Sequence, residues 1–353
     1  MTEFLQEILG QPEAICATAA YYAPDRAGSK SLDDFATAAR KAGSIVITGM
    51  GSSYFLSGTL RAFLSQNGIA ATVINAGELL HYQLNVLADD TLLVAISQSG
   101  ESFETVNVVR QMDQRGIKAS IAVITNEPES TLGRRADILL PTMAGTEEKT
   151  STKTFITGFQ VIYMIDKVLK GIAVPAGIWQ TVAAQIEATL SKREHTCPAM
   201  LRALGDASYL QFIARGTSMA SASQSALMAM EASHTPAQAL AGGEFRHGPL
   251  EMVCQGFTAV VIAHSATPTF EQTHRLIDEI VSFGGRVLLI SDRPDAVPPG
   301  DALTVIAAPA PDEDLFDITS IIPVQLAVEI WAREEKGIIP GEFTHGQKVT
   351  NIE

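Results

Sequence analysis

The sequence is poor in cysteine, short of positive charge and without long apolar runs, and each shortage removes a class of function. Cys16, Cys197 and Cys254 are the only thiols among 353 residues. They lie far apart and form no CxxC or Cys/His pattern of the kind a zinc site needs, so a reducing compartment and no metal are expected. Lys and Arg number 25 against 39 Asp and Glu, a net charge of −14, with no basic run. Nucleic acid and anionic membranes are therefore poor partners. No uninterrupted apolar run approaches the roughly 18 residues of a membrane span. The start, Met1–Ile15, is acidic and amphipathic and lacks the basic head, apolar core and cleavage site of a secretory leader. A cytoplasmic protein is expected. GxGxxG and GxxxxGK[ST] are both missing, which argues against a dinucleotide or a P-loop nucleotide and leaves no cofactor to expect.

What is present is apolar material for two cores: hydrophobic residues make up 46% and charged residues 18%, which excludes general disorder, and the length suits two domains. Short β-branched or apolar runs at 44–49, 92–97, 119–126 and 136–141 are each followed by glycine, serine or another turn residue, or by a helix-period stretch. That is the rhythm of a parallel sheet with crossover helices. A second set follows at an offset of 165 or 166 residues. Gly51-Ser52-Ser53 recurs as Gly216-Thr217-Ser218, the run 94–99 as 260–265, and the run 122–125 as 288–291. Three pairs in the same order indicate a duplication. Between the copies, 155–172 reads as an apolar helix, 174–177 as a break and 178–193 as an amphipathic helix. The expected organisation is a first domain over 1–190, a second over 191–340 and a polar tail over 341–353.

The sharpest local signal is Ser97-Gln98-Ser99-Gly100-Glu101-Ser102, which leaves a buried strand and opens a helix. Hydroxyl donors, a glycine permitting close backbone approach and unpaired helix N–H groups suit a phosphate dianion; the plain alternative is a serine N-cap. Gly51-Ser52-Ser53 and Thr150-Ser151-Thr152-Lys153-Thr154 are two further hydroxyl-rich turns where an open α/β sheet takes ligands. The second copy has Ala263-His264-Ser265-Ala266 in place of the Gln-Ser-Gly loop, so the first copy is expected to hold the phosphate. Glu231 lies on a helix over 220–234, directly after the apolar stretch 226–230. A buried carboxylate there would carry a raised pKa suited to proton transfer near neutrality; a carboxylate facing water is the alternative. His247, in Gly243-Glu244-Phe245-Arg246-His247-Gly248-Pro249, is held in a loop between Gly and Pro, and is otherwise a structural histidine.

These motifs resemble those of the sugar isomerase (SIS) family, and within it the isomerase half of glucosamine-6-phosphate synthase. The resemblance runs along the whole chain. Its most specific pieces are Ser97–Glu101, Ser151–Phe155, Gly243–Pro249 and the ending Lys348–Glu353. It implies two tandem α/β SIS domains, each a flavodoxin-like doubly wound parallel sheet, without the glutaminase domain of the synthase. It further implies that Ser53, Ser97, Gln98, Ser99 and Ser102 bind the sugar phosphate and that Ser151 lines the pocket. Glu231 matches the base moving a proton between carbon 1 and carbon 2, His247 the ring-opening histidine, and Lys348 the Schiff-base lysine. His247 would act in a partner's site, which implies a homodimer. The synthase has a lysine three residues before its glutamate and a carboxylate seven before it, where this chain has Met228 and Gln224. Those positions share the face of Glu231, so the same pocket wall is altered. The implied activity is isomerisation or deamination of a hexose or amino-sugar 6-phosphate, with a fructosamine-6-phosphate deglycase or a non-catalytic sugar-phosphate sensor as alternatives.

Overall fold

The computed structural model describes every residue except Lys149, Pro298, Thr344 and 346–353. The chain separates into two compact units. One contains Glu13–Thr146 and Lys153–Trp179; the other contains Met1–Pro12, Glu147–Thr152 and the chain from Gln180 to Phe343.

The first unit is built on five parallel strands, β1 (Ser44–Gly49), β2 (Thr72–Asn75), β3 (Thr91–Ile96), β4 (Ser120–Thr125) and β5 (Ile138–Pro141), in the order β2-β1-β3-β4-β5. Every residue of β3 is buried. A parallel strand covered by helices on both faces has no polar side to present, so it reads as a continuous apolar run rather than an alternation. The helix Lys153–Lys170 is buried along most of its length. Its one inward acid, Asp166, is held by Lys170 at 2.7 Å and by the Asn67 amide at 2.8 Å, because a buried carboxylate without partners would be costly.

The second unit repeats the design with β6 (Leu210–Ala214), β7 (Ala237–Ala241), β8 (Thr258–Ala263), β9 (Arg286–Ser291) and β10 (Leu303–Ala307), all parallel, in the order β7-β6-β8-β9-β10. The two orders coincide strand for strand, as the sequence duplication requires. By length and composition the helical segment Glu313–Glu334 could cross a membrane, and 94% of its 18-residue apolar window is buried inside the protein. Asp317, Gln325 and Glu329 break the run in sequence, yet all three are buried in this core helix.

Candidate active site

The order of the first sheet reverses between β1 and β3, and an open α/β sheet takes its ligand at that point, outside the carboxyl ends of the strands. Both serine loops emerge there. Ser53 stands in the first turn of the Ser52–Gln66 helix after β1, and Ser97–Ser102 follow β3. The two approach closely: a Cβ on Gly49 would lie 2.8 Å from the Ile96 carbonyl and 3.0 Å from the Ser53 side chain.

The loop after β3 is held from several directions. Buried Ser97 accepts the Gly100 N–H at 3.1 Å and pairs with the Ser102 hydroxyl at 3.1 Å. Ser99 accepts the Glu101 N–H at 3.2 Å, which leaves its own hydroxyl proton for another acceptor. The Gln98 carbonyl receives the Asn126 N–H at 3.1 Å and the Thr125 hydroxyl at 3.2 Å. Gly100 has φ +62°, and a Cβ there would come within 1.8 Å of the Ser130 hydroxyl oxygen, so only glycine fits. Ser102 occupies the N-cap position of the Phe103–Gln114 helix, but its side chain makes no capping bond. The plain N-cap reading therefore does not explain this serine, and the free helix N–H groups and dipole remain available to an anion.

In the second unit, Glu231 lies near the end of the Met219–Ser233 helix and is half-buried. Burial raises its pKa from 4.5 to about 7. The Thr150 hydroxyl is near enough to oppose that rise, although it completes no hydrogen bond of ordinary geometry. Two turns back on the same face, the fully buried Gln224 donates to the Ser151 carbonyl at 3.0 Å, and Met228 is fully buried between them along the helix. The segment 150–151 thus runs along the Gln224–Glu231 face. His247 is exposed at the C-terminal end of a short helix, Gly242–Arg246, where its N–H returns to the Glu244 carbonyl at 3.0 Å. The Gly–Pro flanks are as expected, but a helix replaces the loop before them. A Cβ on Gly242 would crowd the Arg215 Nε at 3.1 Å, whereas one on Gly243 would meet the same guanidinium at an ordinary 3.5 Å. Lys348 lies outside the described residues.

Sequence reasoning assigned neither the place of Thr150 beside Glu231 nor the bond from Gln224 to Ser151. The hydroxyl cluster 150–154 was the available signal for the first; Gln224 was visible only as a departure from the synthase pattern.

A family model described as SIS domain matches residues 39–165 and 203–329. The chain belongs to the SIS domain family. Each matched stretch contains one of the five-stranded sheets, so these are two tandem SIS domains. Glutamine–fructose-6-phosphate aminotransferase of Pyrobaculum aerophilum is 29% identical over 99% of this chain and 57% of its own length. The Mesorhizobium japonicum protein of that name is 30% identical over 91% and 54%. The chain thus spans about half the length of the curated relatives it matches. Among solved structures, the C-terminal domain of glucosamine-fructose-6-phosphate aminotransferase from Francisella tularensis aligns with a TM-score of 0.83 at 26% identity, covering 96% of this chain and 97% of that one. Glucosamine-6-phosphate deaminase from Thermotoga maritima shares the fold at a TM-score of 0.73 and 22% identity, over 98% and 99% of the two chains.

Proposed function

We propose that this SIS protein is an enzyme acting on a hexose or amino-sugar 6-phosphate, as a phosphosugar isomerase or amino-sugar-phosphate deaminase. The observation that carries the reading is Glu231, a carboxyl raised by burial to about 7 on a helix with no other charged residue, since a general base works best when its pKa lies near the working pH. In this reading Ser53, Ser97, Gln98, Ser99 and Ser102 hold the phosphate, and Ser151 borders the sugar. His247, contributed by a partner in a homodimer, opens the ring and exposes the carbonyl. Glu231 then removes the proton on carbon 2 and returns it to carbon 1. Lys348, in a tail over 341–353 that completes the site, attacks the open-chain carbonyl and forms an imine with loss of water. Domain limits of 1–190 and 191–340 and a cytoplasmic location belong to the same proposal.

A second reading, a fructosamine-6-phosphate deglycase, is favoured by the wall beside Glu231. Gln224 and Met228 are fully buried and present a neutral amide and a thioether where the synthase pattern has a carboxylate and an amine. Incubation with glucosamine 6-phosphate and with fructosamine 6-phosphates, followed by assays for ammonia and free amine, separates the readings. Ammonia supports the deaminase. Free amine without ammonia supports the deglycase. Neither, with sugar-phosphate binding intact and no isomerisation, leaves a sensor.

A further inference from the structure

The duplication invites the question of what became of the second phosphate place. The second sheet also reverses its order, between β6 and β8, and hydroxyl-bearing turns again follow both strands: Gly216-Thr217-Ser218 after β6 and His264-Ser265 after β8. After β8 the donors are already taken by one of the chain's own carboxylates. Ser265, at the place of Ser99, gives its backbone N–H to one oxygen of Asp292 at 2.6 Å and its hydroxyl to the other at 2.5 Å. That pairing, N–H and O–H from one residue to two oxygens of an anion, is what a phosphate would receive. His264 Nε2 lies 3.5 Å from the same carboxylate.

A second acid, the buried Asp317, lies near the turn after β6: Ser221, on the following helix, donates to one of its oxygens at 2.9 Å, while the other completes no hydrogen bond. Burial raises its pKa, and Ser221, Thr217, Ser218 and His264 are near enough to oppose that rise. The offset of 166 residues that relates β4 to β9 carries Asn126 onto Asp292, so this acid stands where the first copy has a neutral amide. Asn126 directs its side chain elsewhere: its oxygen accepts the Ala144 N–H at 2.8 Å and the Thr142 hydroxyl at 3.1 Å, and its amide donates to the Gly145 carbonyl at 2.9 Å. In the first domain, Ser99 is therefore left open to a ligand.

We propose that Asp292, with Asp317 across His264, fills the phosphate place of the second SIS domain, and that Asp292 confines sugar-phosphate binding to the first. A dianion cannot enter without displacing a carboxylate from its bidentate partner, and the two negative charges would repel each other in a partly desolvated crevice. The inference rests on reading the Ser97–Ser102 loop as the phosphate site, and the experiment separates the two.

The intact protein is titrated in a calorimeter with glucose 6-phosphate and, separately, with inorganic phosphate. The wild type is expected to take one equivalent per chain, weakened by Ser99→Ala. Asp292→Ala and Asp292→Ser, checked for native circular dichroism, should take a second, weaker equivalent that Ser99→Ala leaves in place. If either variant fails to fold, Asp292→Asn, which installs the first domain's own residue, is read in the same way. Two equivalents in the wild type would overturn the proposal, as would a single equivalent in the folded Asp292 variants. No binding by the wild type with one equivalent in the variants would sink the phosphate reading of the first domain and leave the role of Asp292 standing.

Discussion

Replacing Glu231 by glutamine should change how stability depends on pH, and the sign is opposite to that of a salt-bridged carboxylate. An acid whose pKa is higher folded than unfolded holds its proton more tightly in the folded state. Its favourable contribution is complete below the unfolded value and is lost as pH rises through the folded one. For Glu231 that window runs from 4.5 to about 7, with burial as the cause and Thr150 acting the other way. At about 1.36 kcal/mol per pH unit, the full rise corresponds to about 3 kcal/mol, an upper value because the half-buried side chain keeps some contact with water. Glutamine keeps the shape and cannot ionise. Urea midpoints of the two proteins, measured from pH 4.5 to 8.5, should therefore diverge as pH increases, with Glu231→Gln gaining on the wild type until about pH 8. A constant difference across the range would mean that the Glu231 carboxyl is solvated like any surface acid, and the argument for a tuned base would fail.

Ser99→Ala should weaken binding of hexose 6-phosphates by roughly 1.5–3 kcal/mol, the usual worth of a hydrogen bond to a charged group, and leave unphosphorylated sugars unaffected; calorimetry showing equal losses for both would remove the phosphate role. Gly100→Ala puts a Cβ against Ser130 at φ +62° and should cost at least ~1 kcal/mol from the backbone conformation alone, read as a lower melting temperature together with lost phosphate binding. An unchanged melting temperature would show that the loop shifts to accept the side chain. Inactive His247→Ala and Glu231→Gln subunits, mixed and re-formed as verified heterodimers, should regain part of the activity, because one hybrid site receives both native residues. No recovery would make each site self-contained.

The strands were legible where a short run is dominated by apolar and β-branched residues, as in β1, β3, β4, β5, β8 and β9. The strands β2, β6, β7 and β10 were not. β7, Ala237-Gln238-Ala239-Leu240-Ala241, has no β-branched residue and owes its strand conformation to pairing with β6 at the edge of the sheet, a tertiary cause with no local trace. The Gly242–Arg246 helix was hidden by its two glycines, of which Gly242 lies closely under the Arg215 side chain. Glu231 could be singled out because a lone acid directly after the apolar stretch 226–230 is conspicuous. The bond from Gln224 to Ser151 could not, because it joins residues 73 apart in sequence. Asp292 was silent for the same reason. Only the folded chain shows that an acid closing β9 meets a serine closing β8.

Proton abstraction at the sugar is the claim on which the enzymatic account depends, and it is measured directly by solvent exchange. The protein is incubated in deuterated water with glucosamine 6-phosphate, fructose 6-phosphate or a fructosamine 6-phosphate, and deuterium at the carbon next to the carbonyl is followed by nuclear magnetic resonance. The account predicts exchange with at least one of these ligands, slowed roughly 10²–10⁴-fold by Glu231→Gln, the range for loss of a positioned general base, with ligand affinity nearly unchanged. Tight binding with neither exchange nor turnover in the wild type would contradict it and make Glu231 a structural or ligand-binding residue.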